Sequence, residues 1–311
     1  GEIINSEVTT RKIIISFTVF TETNISYSMY ELKSTEDSFE AGKAIINAFA
    51  IEDPKVVISF ANAVAINGEE YVNGIFSVNH NAVLSGGLAG DNGVFEKNLV
   101  FLNDKFTTSG AVAVALSGKN LNIANNYNLN WQPLGKWLKV TKSIKNRVYE
   151  IDGISATEVY GKYLGKDVAR SLPKTGIEFP LIIKNDYITI SRAVLSKHED
   201  GSLTFAGNVN EGDFVRFAYG NVEMILNNID QNIKFFSKYF VESIFVYSCM
   251  ARRRLFGSKA FIEIAPLSNI ANVCGFYTYG EFYSSHDSAQ LLNETMTILA
   301  LSEGEGTNTN L

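Results

Sequence analysis

The chain has 311 residues, of which 46% are apolar and 19% are charged, and its net charge is −6 with a pI near 5.3. This length and composition exclude a disordered or fibrous chain and allow one large domain or two small ones. The acidic balance argues against a nucleic-acid-binding surface, because contacts with phosphates need an excess of Lys and Arg on one face.

Cysteine content and hydropathy limit the class of protein further. The two cysteines, Cys249 and Cys274, are too few for a disulfide scaffold or a cysteine-rich zinc site, and their apolar neighbours indicate reduced, buried thiols. No uncharged apolar run reaches the roughly 20 residues of a membrane span, and the first residues lack the order of a signal peptide. We therefore expect a cytoplasmic protein without a membrane segment. The chain starts with Gly, and we expect residues 304–311 to be a flexible linker leading out of the fold.

In the first half, strands and helices alternate. Residues 11–20 are rich in β-branched and aromatic side chains, which predicts a strand. Apolar residues at helical spacing predict a helix over 38–50, with Ser34 and Asp37 upstream as capping candidates, and a buried strand follows over 55–63. Two dipeptides that are typical of hairpin turns come next, Asn73-Gly74 and Asn103-Asp104.

In the middle of the chain, residues 138–144 and 146–151 predict a two-stranded ribbon. Ser155 and Glu158 have the spacing of a capping box and predict a short helix that continues to Leu164. Asp200-Gly201 indicates a further hairpin. The most regular apolar stripe predicts a helix over 221–239, and a buried strand follows it over 242–249.

The two halves repeat one succession of elements. A helix leads into a buried strand, and a further strand is expected near "GIFSV" in the first half and near "AFIEI" in the second. A glycine-bearing segment then precedes a strand that ends in an apolar run. In this alignment "GGLAGD" and "CGFYTYGE" occupy equivalent places, as turns that end on Asp91 or Glu281. Since identity between the halves is low, chance similarity of two β-α-β pieces is the alternative. We expect an α/β (α+β) fold of two pseudo-repeated lobes, with mixed, partly antiparallel sheets and a few flanking helices.

Seven segments, taken in their order along the chain, also resemble a known family. The resemblance extends roughly from residue 15 to 303. They are "GGLAGD", "FEKNLVFLNDKFTTSGAVAVAL", "WQPLGKWLKVTKSIKNRVYEIDG", "FAGNVNEGDFVRF", "YSCMARRRLFG", "CGFYTYGE" and "LLNETMTILALSE". Together they resemble the FIST sensory domain followed by its FIST-C partner. The resemblance implies a FIST N-terminal domain over 1–152, a FIST-C domain over 153–303 and a linker over 304–311. The run of three arginines departs from many relatives, where fewer basic residues are usual.

The resemblance also implies a function. FIST domains are intracellular input modules, thought to bind small ligands such as amino acids. They usually precede a histidine kinase, a diguanylate cyclase or a chemoreceptor output domain. We therefore expect a small-molecule ligand, and an output domain that is absent from this chain.

The glycine-bearing segment is the first candidate for a binding site. Glycines let the backbone adopt left-handed conformations and let a ligand approach main-chain N–H groups, so Ser85, Gly86, Gly87, Gly90 and Asp91 could form a small anion-binding nest. The segment lacks the Gly-Lys-Ser/Thr of a P-loop, and its spacing does not fit a dinucleotide fingerprint. The alternative is a turn that only sterics require.

Basic residues follow the second buried strand at its carboxyl end, where ligands bind in α/β sheets. A guanidinium of Arg252 or Arg254 could hold a carboxylate with two hydrogen bonds, while Asp91 or Glu281 accepts an ammonium group, so that an α-amino acid is clamped. Consecutive side chains of an extended segment point to opposite sides, so at most two of the three arginines face one pocket. The alternative is a solvated basic turn.

Tyrosines next to Glu281 complete the candidate site. Strand alternation puts Tyr277, Tyr279 and Glu281 on one face if the strand is unbroken through Gly280. Ordinary half-buried strand tyrosines are the alternative. A structural role is the better interpretation of Asn293 and Glu294, which lie between apolar residues.

Catalysis and metal binding find little support in the sequence. Cys249 and His286 are the one pair from which a nucleophile and a base could be built, and no cysteine-enzyme signature surrounds them. His80, His198 and His286 are isolated from one another, and Ser285 or Asp287 is expected to cap a helix. We therefore expect no enzyme, cofactor or metal. The alternatives are a protein–protein adaptor and a Cys-dependent hydrolase.

Overall fold

The computed structural model describes residues 1–10, 13–94, 96–184, 188–227, 229–285 and 288–304. Strands dominate, as the sequence predicts. In chain order they are β1 (Glu2–Ile4), β2 (Glu7–Thr9), β3 (Asn24–Glu31), β4 (Val56–Asn62), β5 (Val83–Ala89), β6 (Val100–Leu102), β7 (Lys105–Thr107), β8 (Gly110–Ser117), β9 (Leu121–Asn128), β10 (Gln132–Ile144), β11 (Arg147–Ile151), β12 (Ile154–Ser155), β13 (Leu181–Ile183), β14 (Ile190–Arg192), β15 (Val194–Lys197), β16 (Leu203–Phe205), β17 (Phe214–Tyr219), β18 (Ser243–Cys249), β19 (Asn272–Thr278), β20 (Glu281–Ser285), β21 (Ser288–Leu292) and β22 (Met296–Glu303).

Short helices connect these strands. They are α1 (Ser38–Asn47), α2 (Gly68–Val78), α3 (Ala156–Leu164), α4 (Lys166–Arg170), α5 (Val222–Asn227), α6 (Ile229–Phe236), α7 (Met250–Phe256) and α8 (Phe261–Ile264). Within the described ranges, every helix is too short or too polar to cross a bilayer.

The chain forms two compact units, each made from separate stretches of sequence. The first unit takes the described residues of Gly1–Asn128, Leu226–Leu291 and Thr295–Leu311, and the second takes those of Leu129–Ile225 and Leu292–Glu294. The predicted α/β (α+β) class with two lobes and mixed, partly antiparallel sheets is confirmed.

Two six-stranded sheets of the first unit share one topology. Their strand orders are β21-β20-β5-β4-β8-β3 and β2-β1-β19-β18-β22-β9. The pairs β4–β5 and β18–β19 are parallel, and on both sides of each pair the next strand is antiparallel. The internal repeat predicted from the sequence is therefore present as two sheets of the same order and direction.

Register corrects the residue-level alignment of this repeat. Gly86 lies opposite Ser59 and Phe282, and Gly275 lies opposite Val246 and Ile3. In this register, Glu2 of β1 occupies the position in its sheet that Glu281 of β20 occupies in the other sheet. Each of these glutamates directly follows a glycine. Along the chain, Asp91 follows β5 by two residues and Glu281 follows the equivalent strand β19 by three, but Glu281 also begins an added strand, β20.

Helices α1 and α2 pack against the first sheet, and two glycines let the helices lie close to each other. A Cβ on Gly42 would overlap the Tyr71 carbonyl oxygen, and one on Gly74 would overlap that of Phe39. The helices can therefore approach each other backbone to backbone over the core of β4 and β5. The hairpin predicted at Asn73-Gly74 is wrong, because the dipeptide lies inside α2, whose first turn is capped by the Asn67 side chain.

The two sheets of the first unit pack on each other through apolar side chains. Leu299 and Leu301 of β22 contact Val56 and Leu116. Further along the layer, three aromatic rings meet edge to face with centroids 5.1–5.6 Å apart. These rings are Phe60, Tyr247 and Phe276. The layer between the sheets therefore contains a cluster of aromatic rings.

The second unit is built on an antiparallel sheet. Its order is β14-β13-β17-β10-β11-β16-β15, with β12 paired to β11. The predicted ribbon is confirmed as β10 and β11, and the capping box is confirmed because Ser155 accepts a hydrogen bond from the Glu158 N–H. Asn293 and Glu294 are buried in this unit, where their side chains bond Arg192 and Ser191 at 3.0 and 3.1 Å.

Two further expectations differ from the structure, and a third is met. Residues 13–20 form no regular element, although their composition is typical of a strand, and residues 11–12 lie outside the described ranges. The helix expected over 221–239 is found over α5 and α6, and residue 228 between them lies outside the described ranges. Strands β20 and β21 flank the segment where Ser285 or Asp287 was expected to cap a helix; His286 and Asp287 lie outside the described ranges.

Candidate functional site

The glycine-bearing segment is a strand and not a loop. Ser85, Gly86 and Gly87 lie inside β5, between β4 and β20. Gly86 has a φ of +118°, and a Cβ there would overlap the Ser59 carbonyl oxygen. Because the ladder on both sides uses the backbone of these residues, the glycines serve close strand packing and not an open anion nest.

Gly87 makes room for Gly280 and Thr278, which lie beside Glu281. Gly87 and Glu281 are opposite each other in the β5–β20 ladder. A Cβ at position 87 would lie 2.6 Å from the Gly280 carbonyl oxygen and 2.9 Å from Thr278 Cγ2. On the same face of β5, the Ser85 side chain is fully buried, and its hydroxyl has no hydrogen-bond partner in the described part of the chain.

Asp91 organises the segment that follows β5. Its carboxylate accepts hydrogen bonds from the backbone N–H groups of Val94, Glu96 and Lys97 at 3.2, 2.8 and 3.0 Å, and from the Tyr279 hydroxyl. The Tyr279 ring lies against Gly90, where a Cβ would come within 2.9 Å of Cε1. The chain itself thus uses the carboxylate that the sequence suggested for a ligand ammonium group.

The three arginines lie on a helix, since α7 begins directly after Cys249. Successive helical side chains rotate by about 100°, so the expected strand-like alternation is wrong. Arg252 is fully buried, Arg253 is half-buried with its guanidinium 5.3 Å from the Tyr277 ring, and Arg254 is exposed.

A buried polar cluster surrounds Arg252. Its guanidinium donates from Nε to Glu263 Oε2 at 3.3 Å and from Nη2 to Glu263 Oε1, and neither side chain is exposed. Glu281, also fully buried, accepts from Thr278 Oγ1 at 2.5 Å and from the Thr295 N–H at 3.3 Å. The Cys249 thiol also hydrogen-bonds Glu281. We call these residues, with Cys249, the Glu281 cluster.

Burial dominates the ionisation of Glu281. It raises the pKa of this carboxyl from its ordinary 4.5 to about 8, although hydrogen bonds from Thr278, Thr295 and Cys249 and the charge of Arg252 favour the ionised form. In the protonated acid, the Oε1–H group can donate to Thr278 Oγ1, whose own proton points to the Ser248 carbonyl oxygen 3.4 Å away. At neutral pH the cluster therefore holds one ion pair and one mostly neutral acid.

Tyr277 and Glu281 do not share a strand face. The chain bends at Tyr279 and Gly280 and passes from β19 in one sheet to β20 in the other. Tyr277 is buried near Arg253 and Glu263, and burial raises the pKa of its hydroxyl well above the usual range. The side chain that reaches Glu281 from β19 is Thr278.

Sequence reasoning missed Thr278 and Glu263. Glu263 stands in the apolar run "AFIEI", which the repeat suggested to be a strand and which forms α8. An acid enclosed by apolar residues eleven positions after a buried arginine is the signal that could have found the pair.

Two other features bear on the chemistry. In the described ranges, no group of three or more His, Cys, Asp and Glu side chains is placed to hold a metal ion. A surface groove of about 390 Å³ lies in the second unit. It is lined by Thr157, Glu158, Gly161, Lys162, Lys166, Ala169, Arg170 and Lys197. The groove includes none of the predicted ligand residues.

Comparisons with known proteins agree with the resemblance noted in the sequence. A family model described as the FIST N domain matches residues 1–154, and one described as the FIST C domain matches residues 156–284. An uncharacterized protein of Methanocaldococcus jannaschii is 26% identical over 192 residues, which cover 55% of this chain and 36% of that protein. The match thus spans little more than a third of the length of this curated relative.

Proposed function

The chain belongs to the FIST family of sensory, signal-transduction domains, and from that premise we propose that it binds a small ligand at the Glu281 cluster. The ligand class is an α-amino acid or a similar metabolite. Binding regulates an output module of the histidine kinase, diguanylate cyclase or chemoreceptor type, attached C-terminally in the cytoplasm. The domain performs no chemistry of its own.

The observation that carries this proposal is a buried acid next to a buried guanidinium. Glu281 is fully buried and feels the charge of Arg252, whose guanidinium donates to Glu263. A ligand ammonium group would pair with the Glu281 carboxylate and a ligand carboxylate would share Arg252, which together describe an α-amino acid. The unpartnered Ser85 hydroxyl, on the face of β5 that carries Gly87, offers one further polar contact.

Ligand entry requires a local opening, because Arg252, Glu263 and Glu281 are all buried. The bend at Tyr279 and Gly280 is the place where the chain leaves one sheet for the other. Its movement would uncover Glu281 and would break the two backbone hydrogen bonds that Leu88 makes with Tyr279 and Gly280. A signal follows only if the ligand binds one arrangement better than the other.

A thermal-shift screen of the proteinogenic amino acids at pH 7 tests the proposal. A ligand at 100 times its Kd stabilises the folded state by about 2.7 kcal/mol, which raises the Tm by several degrees for a chain of this size. Glu281→Gln should abolish the shift, whereas Asp91→Asn should retain it. If no amino acid raises the Tm of the parent chain, the proposed ligand class is wrong.

Proton release gives a second readout. A bound ammonium group favours ionised Glu281, so binding below pH 8 should expel close to one proton. Titration calorimetry in two buffers of different ionisation enthalpy measures this number. Binding without proton release would place the ligand elsewhere.

An adaptor that recognises another protein is the second candidate function. Four apolar side chains in residues 13–19 are 67–93% exposed, which is typical of an interaction surface. The hydrolase alternative has less support, because the Cys249 thiol is buried against a carboxyl.

A further inference from the structure

Residues 13–20 carry an unusual apolar surface of the first unit. Ile13, Ile15, Phe17 and Val19 are 93%, 67%, 87% and 85% exposed. We call these four side chains the apolar stripe. Ile14, Thr18 and Phe20, which lie between and after them, are half-buried, whereas Ser16 at the centre is exposed. Apart from Ser16, exposure alternates with a period of two, which is typical of an extended chain with one inner and one outer side.

The inner side is attached to the fold. The Ser16 hydroxyl hydrogen-bonds the Cys274 thiol, and Phe20 packs against the apolar cluster that joins the two sheets of the first unit. The segment has strand composition, yet within the described ranges it joins none of the sheets. The outer side is thus held in place, and no described part of the chain covers it.

The size of the apolar stripe fits the centre of an interface. Four such side chains present on the order of 500 Å² of apolar surface, near the upper end of patches found on monomers. A standard stable interface buries about 800 Å² on each partner. The apolar stripe would supply more than half of that area.

We propose that the apolar stripe is the centre of an isologous interface through which two copies of this chain form a dimer. The stripe contains no charged or polar side chain, and homodimer interfaces are the more apolar class. A partner of different sequence would be expected to meet some polar group that fixes its register, and the stripe offers none.

The stripe is also complementary to itself. When two copies face each other in antiparallel directions about a twofold axis near Ser16, Ile15 meets Phe17 of the second copy and Ile13 meets Val19. Every contact in this register joins two apolar side chains. Closed twofold symmetry then buries both stripes at once.

Sedimentation velocity over about 1–100 µM protein tests the dimer, compared with a 34.3 kDa monomer. The parent chain should sediment as a dimer, and Phe17→Glu should raise the dissociation constant about 100-fold or more, because two carboxylates would be buried without partners. Since Phe17 is 87% exposed, the circular dichroism spectrum of the variant should be unchanged.

Phe101→Glu is the matched control. Phe101 is 70% exposed on β6 of the same unit and lies outside the apolar stripe, so this variant should remain dimeric. In hydrogen exchange, the amides of residues 13–19 should be protected in the parent relative to Phe17→Glu. If the parent chain stays monomeric at the highest concentration, the proposal is overturned. This holds even if another segment of a longer chain would cover the apolar stripe. Equal weakening by both variants overturns it as well.

Discussion

Replacing Glu281 with glutamine tests whether the fold keeps this carboxyl protonated. Burial raises its pKa from 4.5 to about 8, while in the unfolded chain the same group ionises near its ordinary value. Between these two pH values the folded state holds a proton that the unfolded state has released. The stabilisation contributed by Glu281 is therefore complete below pH 4.5 and is lost as the pH rises to 8.

The structure sets the size of the effect. The interval from pH 4.5 to pH 8 corresponds to at most about 5 kcal/mol, and the charge of Arg252 is already included in the raised pKa. Glutamine is uncharged at every pH and reproduces the protonated acid, because its oxygen can accept from the Thr295 N–H while its amide donates to Thr278 Oγ1. The variant should match the parent at pH 5 and exceed it in stability at pH 8.

Urea unfolding at pH 5, 6.5 and 8, followed by circular dichroism, measures the difference in free energy of unfolding between the two proteins. This difference isolates Glu281, since the parent and the variant share all other titrating groups. Glu263→Gln is the matched control, because it leaves the buried Arg252 unpaired and should cost about 3–5 kcal/mol at all three pH values. If Glu281→Gln destabilises the protein at pH 8 as Glu263→Gln does, Glu281 is an ionised partner of Arg252 and the reasoning is refuted.

Three further predictions concern packing, capping and thiol chemistry. Gly86→Ala should cost more than about 3 kcal/mol or prevent folding, because its Cβ would overlap a neighbouring carbonyl; soluble yield and circular dichroism check this. Asp91→Ala should lower the free energy of unfolding by about 1–2 kcal/mol, and combining it with Tyr279→Phe should give less than the sum of the two, as urea midpoints of the cycle will show. Cys249, which is 7% exposed, should react slowly with Ellman's reagent until urea unfolds the chain; rapid reaction at pH 7 would favour the hydrolase alternative.

Local patterns predicted those elements whose residues interact with near neighbours in sequence. The helix α1 and the strands β4 and β18 follow from apolar periodicity, and α3 follows from its capping box. The hairpin predicted at Asn73-Gly74 is wrong because the glycine allows close contact with another helix and does not form a turn. Such a reason depends on which elements meet in space, and spacing along the chain does not reveal it.

The candidate site shows the same limit for polar residues. Arg252 and Glu281 were both recognised, but the partner of Arg252 is Glu263, on a segment that was expected to be a strand. The carboxylate of Asp91 was assigned to a ligand, yet backbone N–H groups a few residues ahead occupy it. Residue type indicates what a group can bind, whereas only the folded chain shows which lone pairs its own backbone has already taken.

In each six-stranded sheet of the first unit, the two strands at one edge come from the other half of the chain. Strands β20 and β21 extend the sheet of β4 and β5, while β1 and β2 extend the sheet of β18 and β19. A polypeptide divided at the turn of Asp152 and Gly153 would thus give two fragments, each with an unfinished sheet and an open strand edge. Because each half completes a sheet of the other, the two fragments should depend on each other for folding. We expect them to be insoluble when they are produced separately and to form one folded protein when they are produced in the same cell.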